Sequence, residues 1–174
     1  MKNAWGFLII SSFIFSGCFW PFSGGKSHVI PALAGSGISV EVLDTAPLTA
    51  GARVSFMPFS AGADAEAGEA LDHVSLMILK GFSDGLSQEG RFTLVSGNDA
   101  AGADIVVRGH IEEFKTLGHF SKTTLITVRG DARVSKNENV TAVIYARQKV
   151  AAVAGKVDQA AYDIGSAIAQ KLSE

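Results

Sequence analysis

Residues 123–150 read TTLITVRGDARVSKNENVTAVIYARQKV. Within them Ile126, Val128, Ala132 and Val134 alternate with Thr127, Arg129, Asp131 and Arg133. That period of two belongs to a strand with one buried and one wet face. The polar run from Lys136 to Asn139 is short enough for a tight turn, and Val140 to Val150 is again rich in apolar and β-branched residues. Strands 123–135 and 140–150 are therefore predicted to form a hairpin. Upstream, Ile105, Val107, Gly109 and Ile111 alternate with Arg108, His110 and Glu112, which adds a third long strand of the same kind.

Shorter strands are predicted at 38–43, where Ile38, Val40 and Val42 alternate with Ser39 and Glu41, at 54–59, and at 92–95. Pro58 falls near the end of the second, where a missing amide donor is tolerated. Between Asp64 and Glu89 the apolar residues Ala67, Leu71, Val74, Ile78, Phe82 and Leu86 recur every three or four positions, the spacing of one buried helix face. Asp64, Glu66 and Glu69 suit the helix start and Gly90 its stop. Gly81 and Gly85 each weaken this helix by about 1 kcal/mol relative to alanine, unless a neighbouring strand packs closely there. A last helix over 158–173 carries Ala161, Ile164, Ile168 and Leu172 on one side. The order of elements predicts an α+β fold, a single mostly antiparallel sheet with helices packed on one face.

The chain has 174 residues, 47% of them hydrophobic and 18% charged, which suits one globular domain and a targeting segment. Its 15 Lys and Arg stand against 17 Asp and Glu, so there is no basic field to hold a phosphate backbone and no nucleic-acid partner is expected. One cysteine excludes an internal disulfide. Cys18 follows Phe15, Ser16 and Gly17 at the end of an apolar run from Ala4, with Lys2 ahead of it, the layout of an export signal. Phe15-Ser16-Gly17-Cys18 resembles the bacterial lipobox, with Phe15 where an aliphatic is usual. The resemblance implies a signal peptide over 1–17, cleavage before Cys18, and acyl chains such as palmitate on the cysteine. Residues 18–37, rich in Gly, Ser and Pro, read as a flexible tether, and 38–174 as a periplasmic domain. The rival reading is an uncleaved anchor, since a spanning helix needs about 20 apolar residues. Ser11, Ser12, Ser16, Gly17 and Pro21 argue against it. By the sorting pattern of such lipoproteins Phe19, rather than Asp, implies the outer membrane, with the inner membrane as the alternative.

No catalytic site, metal site or cofactor is predicted. There is no Gly-x-Ser-x-Gly turn, and His28, His73, His110 and His119 show no ligand spacing. His110 with Glu112 reads more readily as a solvated strand face than as an acid/base pair. Gly24-Gly25-Lys26-Ser27 lacks the first glycine and the strand of a phosphate-binding loop. Asn139-Val140-Thr141 matches a glycosylation acceptor by chance. Arg129, Asp131, Arg133, Arg147 and Lys149 line the polar face of the hairpin, as solubilising charges or as a docking surface for a protein partner.

A family resemblance covers about 53–174. Val54 to Phe59, the helix running into Gly90-Arg91-Phe92, and Gly102-Ala103-Asp104 before a strand and a long hairpin look like a periplasmic lipoprotein domain. That domain is shared by penicillin-binding-protein activators of the LpoB type, the curli secretion lipoprotein CsgG and the amino-terminal domain of TolB. The resemblance implies no catalytic residues and action by contact with other envelope proteins, peptidoglycan synthases first among them. The connection after Ser96 is shorter than in these relatives, so no particular partner carries over, and oligomeric state is left open. The alternative is a carrier of a lipid or small apolar ligand, with Phe82, Phe92 and Phe114 lining a cavity between sheet and helix.

Overall fold

The computed structural model describes residues 37–63, 65, 68–95 and 102–174. The lipobox with Cys18, the tether with His28, and Asp64, Glu66 and Ala67 lie outside the described residues. In chain order the elements are β1 (Gly37–Val42), β2 (Arg53–Phe56), β3 (Ser60–Ala61), α1 (Glu69–Glu89), β4 (Thr93–Val95), β5 (Ile105–Leu117), β6 (Thr123–Val134), β7 (Val140–Ala151) and α2 (Ala154–Ser173). They form the expected α+β fold, one sheet in the order β1-β7-β6-β5-β2-β4 with α1 and α2 against one face.

The long strands pair antiparallel, β1 with β7, β7 with β6 and β6 with β5. The margin beyond β5 is parallel: β2 pairs with β5 and with β4. Two parallel neighbours need a crossover between them, and α1 supplies the one from β2 to β4. Strand β3 continues beside β5 after a break at Met57–Phe59, where Pro58 has no amide hydrogen to give. Of the strand expected over 54–59 only 54–56 forms, within β2, and β3 lies beyond its expected end. Helix α1 begins at Glu69, later than the acidic residues suggested, and α2 begins at Ala154, earlier than expected.

The faces fall as the alternation requires. Ile105, Val107, Ile111, Ile126, Val128, Ala132, Ala142, Ile144 and Ala146 are buried toward the helices. They meet Leu71, Val74, Ile78, Phe82 and Leu86 of α1 and Ala161, Ile164, Ile168 and Leu172 of α2 in a single core. Phe56 stacks on Phe59 at 4.9 Å and meets Phe82 at 4.5 Å between ring centroids. Phe82 and Phe92 belong to this core, and Phe114 packs against it.

The helix glycines have a use the sequence did not disclose. A Cβ built on Gly81 would run into the Tyr162 carbonyl of α2, and one on Gly85 would lie 2.8 Å from the Ala169 Cβ. From the other side, a Cβ on Gly165 would run into the Ile78 carbonyl and lie 2.7 Å from the Phe82 amide nitrogen. The neighbour that packs closely on Gly81 and Gly85 is a helix rather than a strand. Small residues bring the two backbones together, with Ala161 and Ala169 fully buried at the same crossing.

Two of the motifs that carried the resemblance, Gly90-Arg91-Phe92 and Gly102-Ala103-Asp104, are structural clamps. Gly90 takes a left-handed conformation, φ 63°, and its amide donates to the Leu86 carbonyl at 3.1 Å, which stops α1. The Arg91 guanidinium then donates to the Ser173 carbonyl at the end of α2 and to the Leu48 carbonyl at 2.9 Å. Asp104 accepts from the Arg53 amide at 2.9 Å and from its guanidinium at 3.4 Å, joining β2 to the start of β5. No described helix is long and apolar enough to cross a membrane.

Candidate interaction face

Side chains that alternate away from the core emerge on the sheet face that α1 and α2 leave uncovered. In register across β5 and β6, Arg108 stands opposite Asp131 and His110 opposite Arg129. Across β6 and β7, Arg129 stands opposite Tyr145 and Thr127 opposite Arg147. All five residues expected to form a docking surface, Arg129, Asp131, Arg133, Arg147 and Lys149, therefore come to this one open face.

They are embedded in a network of opposite charges. Arg133 donates twice to Asp131, at 2.7 Å each, and the paired carboxylate holds its guanidinium above the usual arginine value. Arg108 lies 3.5 Å from Asp131 and 2.7 Å from Glu138, which Arg133 also approaches at 3.9 Å. Arg129 bonds Glu112 at 2.8 Å and lies over the Tyr145 ring at 5.6 Å. Glu112 is thus committed to Arg129, and His110 stands 3.7 Å from it as a secondary neighbour. Toward the other end Glu113 accepts from Lys115 and from the Thr127 hydroxyl at 2.9 Å. Lys115, and after it Thr127, keep the Glu113 carboxyl below the usual range, with Arg147 adding to the effect.

A bulge in β5 puts two successive carboxylates on this face. The register steps from Ile111 opposite Val128 to Glu113 opposite Thr127, leaving Glu112 as the extra residue. Strict alternation would have placed Glu113 in the core and Phe114 outside. A second irregularity at Thr141 buries that side chain, whose hydroxyl donates to the Ala132 carbonyl at 3.1 Å. The Asn-x-Thr match is therefore occupied in the fold.

Beside the charge network runs an open groove of about 540 Å³, lined by Met57, Pro58, Ser60, Arg108, His110, Arg129 and Asp131. Its floor is bare backbone, because Gly109 and Gly130 face one another there. Met57, Pro58, Ser60 and Glu138 were not expected at this face from the sequence. The first three reach the groove only because β3 runs beside β5, and Glu138, at φ 59° in the β6–β7 turn, joins the charge network through Arg108 and Arg133. Among the described residues no group of three His, Cys, Asp or Glu side chains could hold a metal ion.

Acid should loosen this structure in a defined window. Glu113, Asp104 and Asp84 are all held below their ordinary values, 4.5 for Glu and 3.8 for Asp, by Lys115, by the Arg53 amide and by Lys80 respectively. A depressed carboxyl contributes stability above its unfolded-state value and loses it as pH falls through the folded one. The urea midpoint is expected to be flat from neutral pH to about 5 and to fall below about 4, with Glu113→Gln flattening part of the fall. Urea titrations followed by circular dichroism at several pH values measure it.

These features define the class: an α+β domain with a paired-helix layer on one face and a charged, open sheet on the other. The fold is similar to that of PelC from Paraburkholderia phytofirmans, solved as a dodecamer, at 12% identity over 79% of this chain and 98% of that one, with a TM-score of 0.57. A variant of the same dodecamer aligns at 13% identity over 78% of this chain and 98% of that one, TM-score 0.58. Lipoprotein GNA1162 from Neisseria meningitidis overlaps less, at 13% identity over 68% of this chain and 99% of that one, TM-score 0.46. At these identities the likeness is one of fold. No family model matches the chain, and neither does any curated protein.

Proposed function

We propose that this chain is a non-enzymatic lipoprotein of the bacterial envelope, held by lipid on Cys18, whose open sheet face docks onto an envelope protein and positions or activates it. The observation that carries this reading is the uncovered face of β5, β6 and β7, where the charged network borders the groove at Met57. Charges of both signs at fixed spacing give register and selectivity to a protein contact more than raw affinity. The likeness to LpoB, CsgG and TolB domains makes a peptidoglycan synthase the first partner to try. The PelC dodecamers make an assembly of several copies one form the protein could take. Phe19 after the lipid cysteine favours the outer membrane, with the domain in the periplasm.

The test uses the full chain and a variant carrying Arg129→Gln and Arg147→Gln. Exposed ion pairs contribute about 1 kcal/mol or less, so the variant should melt close to the native protein. Its affinity for purified peptidoglycan synthases, measured by surface plasmon resonance, is expected to fall at least about tenfold. Equal affinity of the two proteins would remove the open face as the docking surface. Absence of metabolic palmitate label that depends on Cys18 would remove the anchor.

A further inference from the structure

Among the large apolar side chains exposed in the described residues, Leu43, Met57 and Leu76 stand apart, but three share one end of the sheet: Phe120 is fully exposed, Val153 is 60% exposed and Leu117 40% exposed. Leu117 ends β5 and Phe120 lies in the turn to β6, which Gly118 opens with φ 90°. Val153 lies beside them, because Thr123 pairs with Ala151 and the Ala152 amide donates to the Lys122 carbonyl at 3.0 Å. One end of the sheet thus presents an aromatic and two aliphatic side chains to solvent.

Near that end lie Lys115, Lys122, Lys149 and Lys156 with His119, and the carboxylates that flank these residues are engaged, Glu113 by Lys115 and Thr127, and Asp158 by His73. Apolar tips ringed by lysine are what an anionic bilayer surface accepts, the rings entering the headgroup region while the ammonium groups meet phosphates.

The chain direction points the same way. Gly37, where β1 begins, pairs with Arg147, and Arg147 pairs with Thr127, four residues from the start of β6 at Thr123. Strand β1 therefore starts near the end of the sheet that carries Phe120, and the 19 residues from Cys18 to Ser36 precede it in the sequence. At their full extent they span about 65 Å, ample for the hairpin to reach the bilayer.

Resting on the lipid-anchor reading, we propose that the β5–β6 turn is a second membrane contact, with Phe120, Leu117 and Val153 seated in the anionic bilayer that holds the acyl chains. Two contacts fix an orientation that one tether cannot. The sheet then stands on the membrane, and the groove at Arg129 lies about 20 Å beyond Thr123, facing the compartment where a protein partner would be met.

Tryptophan fluorescence tests this in the full-length chain. Trp5 and Trp20 are its only tryptophans, so Trp5→Phe and Trp20→Phe clear the background. Phe120→Trp then reports on the turn and, in a separate chain, Asn137→Trp on the opposite end of the sheet. In vesicles of phosphatidylcholine with phosphatidylglycerol, the indole at position 120 is expected to emit at shorter wavelength and to lose at least half its intensity when the acyl chains are brominated. The indole at 137 should be unaffected. The mass of the purified chain reports the lipid on Cys18 independently. A lipidated chain whose indole at 120 stays unshifted and unquenched overturns the membrane contact and leaves the anchor standing. An unlipidated chain whose indole at 120 is quenched on adding vesicles overturns the anchor and leaves the contact standing.

Discussion

Gly165→Ala is expected to destabilise the domain by about 3 kcal/mol, although alanine is the better helix former by about 1 kcal/mol. Propensity and packing make opposite predictions here, and the geometry decides between them. The new methyl group would fall on the Ile78 carbonyl and 2.7 Å from the Phe82 amide nitrogen, and those are backbone atoms of α1 that no rotamer change can move aside. The helices would have to separate, which opens gaps along a crossing also sealed by Gly81, Gly85, Ala161 and Ala169. In a domain of this size the loss corresponds to roughly 10 °C in melting temperature. Gly155→Ala is the matched comparison, since nothing lies within 4 Å of a Cβ there. It should leave stability unchanged or raise it by up to about 1 kcal/mol. Thermal unfolding followed by circular dichroism compares the two, and a stabilising Gly165→Ala would mean that the helices are not in backbone contact.

Phe82→Ala is expected to cost about 3–5 kcal/mol, a large share of the roughly 5–15 kcal/mol that holds a typical domain together. Phe82 has no exposed surface and packs against the Phe56 ring, which in turn stacks on Phe59. Its removal therefore leaves a void where α1, the helix crossing and the parallel margin of the sheet meet. Phe82→Leu should cost less, because most of the volume is kept. Chemical denaturation measures both. The experiment also bears on the carrier alternative: a ring lining a ligand cavity could be truncated with little loss of stability and a change in bound lipid.

Much of the fold was legible because its long elements are strongly periodic. The alternation through Ile105–Ile111 and Ile126–Val134 assigns the core face correctly, and the recurrence of Leu71, Val74, Ile78, Phe82 and Leu86 assigns that of α1. Periodicity assumes an unbroken register, so it failed where one residue is inserted. The bulge at Glu112 moved Glu113 out to the charged face and Phe114 in toward the core. It also missed the parallel margin, since β2, β4 and β3 are short and nothing local in four residues tells which neighbour they pair with.

The open face shows the same division. Arg129, Asp131, Arg133, Arg147 and Lys149 could be assigned to one surface from strand alternation alone. Their partners could not. Arg108 lies 23 residues before Asp131 and 30 before Glu138, and Met57 joins the groove from the break between β2 and β3, 51 residues before Arg108.

By itself the sequence determined the long elements, their buried faces outside the β5 bulge, the absence of internal disulfides and the lipobox-like stretch ending at Cys18. Each of these follows from residues within a few positions of one another, where backbone geometry sets the spacing. The tertiary structure alone decided that Gly81, Gly85 and Gly165 seal a helix crossing, that the arginines are neutralised in a network, and that Phe120 stands uncovered beside Val153. Those depend on distances between segments far apart in the chain, fixed by the common core they bury.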